Sequence, residues 1–183
     1  AAYNIRFGSM NLDFGASFID NFADAGDTPD LLATETIDNY VAGLGVYSFL
    51  GFKRLTLIAE YLTALDAFES VEMQFDNEGA EPCVWNLEMG YTFDLLGRET
   101  TCAMAYQGTN EAVSGNDIKD TPPKKRYAAG LSVDLFPNAS WAVEYMYDRH
   151  YDKADFAGSG YRSEEYAEVA GESRYTVLTE LAF

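Results

Sequence analysis

The sequence predicts an all-β fold, an antiparallel transmembrane β-barrel of the kind found in the bacterial outer membrane. Three observations predict it: apolar residues alternate with small or polar ones, the alternating segments are long, and short and long connections follow one another. Most segments have about 10–12 residues, more than the 5–6 usual for soluble strands and close to the 9–11 that cross a bilayer at a tilt. We therefore treat residues 1–183 as one barrel unit.

Alternation with a period of two places the strands one by one. In 85–94, large apolar residues such as Leu87 alternate with small or polar ones such as Asn86. The predicted strands are 2–8, 10–20, 38–48, 53–65, 83–94, 99–110, 125–136, 140–151 and 173–183. The short connections are 8–9, 50–52, 95–98 and 136–139, and the long ones are 21–37, 66–82, 111–124 and 152–172. Outer-membrane barrels have short periplasmic turns and longer external loops.

The number of strands bears on whether the barrel is complete. Counting back from a last strand that ends in the periplasm gives about eight strands between Leu12 and Phe183, an even number as bacterial barrels require. The segment 2–8 is then an extra strand that runs inward, and such a strand cannot begin a barrel with a periplasmic N-terminus. Either residues 1–8 are a plug or tail, or residues 1–9 are the end of an upstream strand and the chain is the C-terminal part of a larger barrel; we expect the latter.

The composition of the two strand faces favours lipid over water. One face is small and largely neutral, which suits a lumen: Gly43, Gly45, Asn86, Gly90, Thr92, Ala103, Ala105, Gln107, Gly130 and Ser132. The apolar face carries aromatic residues near strand ends, as interfacial girdles do: Tyr40, Phe93, Trp141, Tyr147, Tyr175 and Phe183. The alternative is a soluble β-sandwich with a tyrosine-rich face.

Composition excludes several other classes. Lys and Arg number 12 against 30 Asp and Glu, a net charge of -18, so binding to nucleic acid through phosphate contacts is not expected. No apolar run approaches the roughly 20 residues of a membrane helix. The first residues do not read as a signal peptide, so a secreted protein would be present in mature or truncated form. Cys83 and Cys102 are far out of register in the predicted hairpin, which predicts two free thiols.

Two sets of residues resemble known proteins. The final Tyr175-x-Val177-x-Thr179-x-Leu181-x-Phe183 resembles the terminal strand signal read by the outer-membrane assembly machinery. Residues 86–110 with 125–152 resemble the legiobactin-type siderophore porin family, in pieces such as Tyr91-Thr92-Phe93, Gly97-Arg98-Glu99, Tyr106-Gln107-Gly108-Thr109 and Leu131-Ser132-Val133. The resemblance covers the last half of the chain. It implies the C-terminal strands of a larger porin and passive uptake of small solutes, including ferric chelates.

Charges on the predicted lumen face are the candidate functional residues. Glu60, Glu88 and Glu144 lie in mid-strand, where a pore is narrow, and charges lining a pore select ions by sign. The remaining candidates are Arg54, Arg126, Asp148 and Arg174. In a wide barrel these residues predict a cation-preferring passage. In an eight-stranded barrel, whose interior is filled by side chains, they predict a closed, ion-paired or ligand-binding interior.

The long loops and the single histidine suggest weaker functions. The loops are acidic, and the spacing Asp152-x-x-Asp155 suits loosely bound Ca²⁺ or Mg²⁺, although solvated loops beside anionic lipopolysaccharide explain it as well. No other cofactor is expected. His150 is close to Asp148, so a hydrolase with a rim dyad is an alternative, but we predict that the protein is not an enzyme. The expected partners are outer-membrane lipid and lipopolysaccharide, the assembly machinery, a small permeant, and further copies or other envelope proteins.

Overall fold

The structure is a computed structural model that describes residues 1–24, 39–112, 121–137, 139–152, 155 and 173–182. Within these ranges the chain is all-β apart from a short 3-10 turn at Phe22–Asp24. The strands are β1 (Ala2–Phe7), β2 (Met10–Ile19), β3 (Gly43–Phe52), β4 (Leu55–Ala64), β5 (Gln74–Phe75), β6 (Glu78–Gly79), β7 (Cys83–Leu95), β8 (Arg98–Asn110), β9 (Lys125–Phe136), β10 (Ala139–Arg149) and β11 (Ser173–Ala182).

Nine of the described strands form one antiparallel sheet, in the order β1-β2-β3-β4-β7-β8-β9-β10-β11, and β5 pairs with β6 in a small hairpin. Each strand of the large sheet pairs with the strands before and after it, as expected of an up-and-down meander. The all-β, antiparallel prediction is confirmed. In the described residues β1 and β11 are the two edges of the sheet and do not pair with each other, so the sheet is open.

Short turns join the strands at one end of the sheet, which we call the turn end, and long connections join them at the other, the loop end. Phe7 pairs with Met10, so Gly8 and Ser9 form a two-residue turn, and Gly8 has a φ of 58° that suits glycine. Leu96 and Gly97 form another two-residue turn, with φ values of 52° and 77°. The predicted alternation of short and long connections is therefore confirmed.

The predicted third strand was wrong in its bounds. The sequence predicted 38–48 with a turn at 50–52, because Gly51 resembles a turn residue. In the structure β3 is Gly43–Phe52, and Phe52 pairs with Leu55 across a turn at residues 53–54. Gly51 lies inside the strand, opposite Asn11 and Thr56. The alternation continues through Leu50 and Phe52, and it outweighs the turn preference of a single glycine.

The register divides the sheet into two chemically distinct faces. Residues paired across an antiparallel ladder share a face, so pairing can be followed from β1 to β11. The apolar face contains, for example, Leu12, Leu50, Leu57, Met89, Met104 and Ala129, which form one continuous row of partners. The polar face contains Asn86, Gln107, Arg126 and Asp148 in the same manner.

Among the residues that the structure describes, neither face of the sheet centre packs into a core. Leu87 is 49% exposed and Met89 44%, while Leu131 and Val143 are half-buried on the same uncovered face. Among the described residues the buried apolar cluster lies instead at the loop end, and we call it the cap. Its members are Phe22, Ala23, Val41, Ala64, Phe68, Met73 and Ala80. A soluble sandwich would bury Leu87, Leu131 and Val143 together, and the structure does not.

The cap packs against the polar face. Ile19, Gly43 and Ala64 form one register row on that face, and the ring of Phe22 lies directly over Gly43. Phe68 meets Phe22 edge-on, with ring centroids 6.4 Å apart. Main-chain hydrogen bonds hold the segment 65–82 above them, including Phe68 N–H to Ala80 O at 2.9 Å. The loop end of the polar face is therefore partly roofed by folded connections.

The first prediction tests how the cap is seated. A Cβ at Gly43 would lie 2.4 Å from the Phe22 ring, so Gly43→Ala should displace Phe22 and loosen the cap. Overpacking of this kind costs about 1–3 kcal/mol. Hydrogen exchange of the segment 65–82 should accelerate.

Gly90→Ala is the matched control. Gly90 is on the same face, and a Cβ there would come no closer than 3.8 Å to Thr56, so exchange in the cap should not change. Equal effects of the two substitutions would show that Phe22 does not seat the cap.

Candidate functional site

A hydrogen-bonded network of acids and amides lies in the middle of the polar face. Asn86 donates from Nδ2 to Glu60 Oε2 at 2.9 Å and to Glu88 Oε1 at 3.0 Å. Gln107 donates to Asn86 Oδ1 at 3.1 Å. The register explains the contacts, because Glu60, Asn86 and Gln107 are partners across β4, β7 and β8. Two predicted lumen carboxylates are thus brought together by a neutral amide.

The arginines lie elsewhere on this face. Arg126 binds Asp148 with two hydrogen bonds, of 2.7 and 2.8 Å, across β9 and β10. Arg54, in the turn after β3, binds Asp94 at 2.5 Å. The carboxylates of Glu60 and Glu88 receive hydrogen bonds from Asn86, and no Arg or Lys of the described residues pairs with them. The centre of the network therefore keeps its negative charge.

The other two candidates are placed only in part. Glu144 is exposed on the polar face, opposite Gly130, so no bulky partner stands beside it on β9. Arg174 pairs with Asp148 through the backbone, on the same face, and its side chain lies outside the described residues. The three acids thus share a face, but Glu144 is several strands away from Glu60 and Glu88.

Space for a solute or water exists beside the network. A groove of about 320 Å³ is lined by Ser17, Gly45, Glu60 and Asn86, among others. A Cβ at Gly45 would lie 2.8 Å from Ser17 Oγ, so a larger residue there would fill part of this space. The groove has the dimensions for small hydrated species; most of its lining is apolar, and the carboxylate of Glu60 and the amide of Asn86 are polar groups at its wall.

Tyr151 lies at the loop end, where its ring meets Phe75 of β5 edge-on, with centroids 6.2 Å apart. Its side chain is fully buried. Its hydroxyl contacts Thr109 Oγ1 at 2.9 Å and accepts a hydrogen bond from Ala112 N–H at 3.2 Å. Lys124 lies over the ring and is paired with Asp155 at 2.9 Å. Burial raises the pKa of Tyr151 to about 12.

The apolar face carries a row of rings near each end. At the loop end Trp85, Tyr106, Tyr127 and Tyr147 contact one another in sequence, with ring centroids 5.1–6.3 Å apart. At the turn end Phe93 and Trp141 share a register row, and Tyr91 stacks on Phe93. Trp85 and Phe93 are about 26 Å apart along β7, or about 20 Å in height at the tilt usual for barrel strands.

Charges are excluded from the apolar face between these rows. In the described strands Arg98, Lys125 and Arg149 are its charged residues, and each is the first or last residue of a strand. Of the aromatic residues predicted for the strand ends, one is misplaced and another lies outside the described residues. Tyr40 is 78% exposed and precedes β3, since that strand begins at Gly43, whereas Phe183 lies outside the described residues. Tyr175 pairs with Tyr147 through the backbone.

Several smaller predictions also meet the structure. Cys83 and Cys102 are free, opposite Asn110 and Tyr91, which confirms the prediction of two free thiols.

Both oxygens of Asp148 accept hydrogen bonds from Arg126, so a dyad of Asp148 with His150 has a competing partner. The described residues contain no group of three or more His, Cys, Asp or Glu placed to hold a metal, and the metal prediction stays a prediction because much of the acidic sequence, including 156–172, lies outside them.

Most of the predicted assembly signal lies in β11, and Phe183 is outside the described residues. β11 includes Val177, Thr179 and Leu181, whose backbone partners on β10 belong to the apolar face. Val177 is 65% exposed.

The sequence analysis did not identify the contacts made by Asn86, Gln107, Phe68 and Tyr151. Of these, the Asn86–Gln107 contact could have been found from the predicted pairing of 83–94 with 99–110, whereas the cap residues carry no periodic signal.

Comparison with known proteins finds relatives among curated sequences. The chain is 33% identical over 143 residues to a UPF0422 protein of Coxiella burnetii, covering 77% of this chain and 30% of that protein. It is 26% identical over 164 residues to UPF0422 proteins of Legionella pneumophila, strains Philadelphia 1 and Lens, covering 81% of this chain. The chain thus spans about 30% of the length of these relatives. No family model and no solved structure matches.

In the described residues, no helix has the length and apolar character needed to cross a bilayer.

The second prediction uses the native Cys102 to test which face meets lipid. Cys102 is exposed on the apolar face and Ala103 is exposed on the polar face. With the full-length protein in vesicles and Cys83 replaced by Ala, Cys102 should be protected from a charged, membrane-impermeant thiol reagent, because a charged reagent does not enter the apolar core of a bilayer. A Cys at position 103, with Cys102→Ala, should react.

Unfolding in detergent should make both thiols reactive, which controls for the chemistry. Rapid labelling of Cys102 in intact vesicles would place the apolar face in water and contradict the assignment.

The third prediction concerns alkaline stability. The folded state holds the Tyr151 proton up to about pH 12, whereas an unfolded tyrosine loses it near pH 10. The raised pKa of Tyr151 therefore adds its full contribution to the free energy of unfolding below pH 10. This contribution, about 2–3 kcal/mol in total, is lost as the pH rises to 12. The difference in free energy of unfolding between the wild type and Tyr151→Phe should shrink by this amount over that window.

Below pH 10 the variant should be the less stable protein, because Ala112 N–H loses its acceptor. A constant difference across the window would mean that Tyr151 ionises as readily in the folded protein as in the unfolded chain, and would contradict the prediction.

Proposed function

We propose that this chain forms part of the wall of an outer-membrane β-barrel, in a porin for passive uptake of small solutes with a preference for cations. The observation that carries the proposal is the two-faced sheet. No part of the chain that the structure describes covers its apolar face, which is free of charge between two aromatic rows, and its polar face holds the network of Glu60, Asn86, Glu88 and Gln107. A sheet of this kind in water would expose a large apolar patch. Lipid on one side and an aqueous lumen on the other satisfy both faces.

The sheet is proposed to be a section of a larger barrel. Closure removes the unpaired edges that an open sheet exposes, and the described β1 and β11 are such edges. The relatives are about three times as long as the region they share with this chain, which leaves length for further strands in those proteins. A larger barrel also leaves a water-filled lumen, where an eight-stranded one would be filled by side chains.

The cation preference rests on the separation of charges on the polar face. Arg126 and Arg54 are each held by an aspartate, so they do not neutralise Glu60 and Glu88. Carboxylates that line a pore attract cations and repel anions. Passage of ferric chelates is part of the proposal through the sequence resemblance, and the lumen charge then favours chelates without net negative charge.

A closed, ligand-binding barrel is the second candidate, and the cap is the observation that favours it. Phe22, Phe68 and their neighbours roof part of the polar face at the loop end. If the roof extends across the barrel, solutes would bind the polar face without passing. Conductance separates the two candidates, because the closed barrel carries no current.

The fourth prediction tests the pore and its selectivity together. Replacing Glu60, Glu88 and Glu144 with Gln removes three negative charges and keeps side-chain size. Each Gln retains a carbonyl oxygen that can accept from Asn86, so the barrel should still fold. In planar bilayers under a salt gradient, the wild type should show a reversal potential of cation-preferring sign, and the variant should move toward zero.

The matched control removes three exposed acids at the loop end, through Asp66→Asn, Glu78→Gln and Glu81→Gln. These charges face bulk solvent, where salt screens them within about 8 Å at physiological ionic strength, so selectivity should change little. No current from well-folded wild type would reject the porin in favour of the closed barrel. A current of unchanged selectivity in the lumen variant would reject the role of the three acids.

A further inference from the structure

We propose that Lys125 and Arg149 form a binding site for the phosphate group of an anionic lipid, at the loop-end boundary of the apolar face. The inference rests on the proposed membrane location and adds a lipid site on the outside of the barrel. The two residues are direct partners across β9 and β10. They lie on the same face as Tyr127 and Tyr147, two residues further toward the loop end on each strand.

Lys125 and Arg149 are two cations placed directly opposite each other on neighbouring strands. Like charges directly opposite each other in an antiparallel ladder repel, and such pairs destabilise a sheet. Among the described residues Lys125 has no carboxylate partner. Arg149 has Asp152 at 3.8 Å, but both side chains are more than half exposed, so solvent screens that contact. In a chain of net charge -18, an adjacent pair of cations on the outer face suits an anion placed between them.

The surface beneath the cations suits the rest of a lipid. The rings of Tyr106, Tyr127 and Tyr147 form a contiguous platform, with centroids 5.1 and 6.2 Å apart. Tyrosine rings are favoured at the level of lipid headgroups. The indole of Trp85 lies against Gly108, where a Cβ would come within 2.3 Å of the ring, and Gly108 is the register partner of Lys125. The cations are therefore bordered by aromatic surface on two sides.

An apolar groove leads away from this platform. It has a volume of about 700 Å³ and crosses the apolar face from Leu12 and Leu50 through Met89 and Met104 to Tyr106 and Tyr127. Such a groove can hold an acyl chain, because its walls are the side chains that would contact lipid in the proposed barrel. Its end at Tyr127 lies next to Lys125, so one lipid can fill the groove with its chain and reach the cations with its phosphate.

Charge and position together select the class of lipid. A phosphate carrying net negative charge gains from both cations, whereas the zwitterionic phosphatidylcholine places its own ammonium group against them. Basic residues near anionic lipid contribute additively to binding. If the long loops are external, as proposed, the lipid belongs to the outer leaflet, where phosphorylated glycolipids supply this chemistry.

The test compares retention of two lipid probes by the full-length protein. Protein solubilised from vesicles of phosphatidylglycerol and phosphatidylcholine with matched chains is examined by native mass spectrometry. The wild type should retain phosphatidylglycerol in preference to phosphatidylcholine by about thirtyfold, the ratio expected of two cations beside an anionic headgroup. The double variant K125Q/R149Q should lose this preference and retain both lipids equally.

Arg98→Gln is the matched control, because Arg98 is also a terminal cation of the apolar face and lies over the ring of Phe136, but at the turn end. It should keep the phosphatidylglycerol preference. Heat-dependent gel mobility reports folding of each variant independently. Release of phosphatidylglycerol by excess inorganic phosphate would overturn the lipid assignment in favour of a free-anion site.

The outcomes separate the lipid site from the proposed function. A wild type that inserts into vesicles and retains the two lipids equally overturns the site alone. A wild type that neither inserts nor retains either lipid overturns the membrane proposal with it. Loss of preference in R98Q as strongly as in K125Q/R149Q would show a general effect of surface charge and reject a defined site.

Discussion

Strand register is the constraint on which the other features depend. Side chains alternate faces with a period of two, so a one-residue slip in any pairing would invert every strand beyond it. The two-residue turns at Gly8 and at Leu96-Gly97 fix that register locally, and the long β7–β8 ladder extends it over thirteen residues of each strand. The acid–amide network, the aromatic rows and the cation pair are all cross-strand arrangements, and none would survive a slip.

The same register decides which face of the sheet is buried by other parts of the chain. A soluble β-protein covers an apolar face with a second layer, but here the described apolar core is the cap, which sits on the polar face. The cap gains burial from Phe22 and Phe68 while leaving Leu87 and its neighbours uncovered. The apolar face therefore depends on the surrounding medium for its burial, and the polar face depends on the folded loops for its shape.

The sequence predicted the strands correctly where apolar and polar residues alternate without interruption. It did not predict features that depend on contacts between segments distant in the chain. The strands from β7 to β10 were predicted nearly to the residue, because apolar residues such as Leu87 and Met89 alternate without a break. β3 was misplaced because Gly51 was interpreted as a turn, although its neighbours kept the alternation. The cap could not be predicted, since Phe68 and Met73 occur in an acidic loop and gain their partners only through chain segments distant in sequence. Glu60 was placed on the correct face, but its amide partner required the register of two neighbouring strands.

Cations are scarce in this chain, and their placement separates two electrostatic environments. On the polar face Arg126 is held by Asp148 and Arg54 by Asp94, which leaves the excess charge of Glu60 and Glu88 uncompensated. On the apolar face Arg98, Lys125 and Arg149 occupy strand ends, where long side chains can reach the polar boundary. The sheet backbone and its side-chain layers lie between the two sets. In the proposed barrel, the charge that would act on a solute and the charge that would act on a lipid headgroup can therefore be changed independently, since each set belongs to its own face of the same strands.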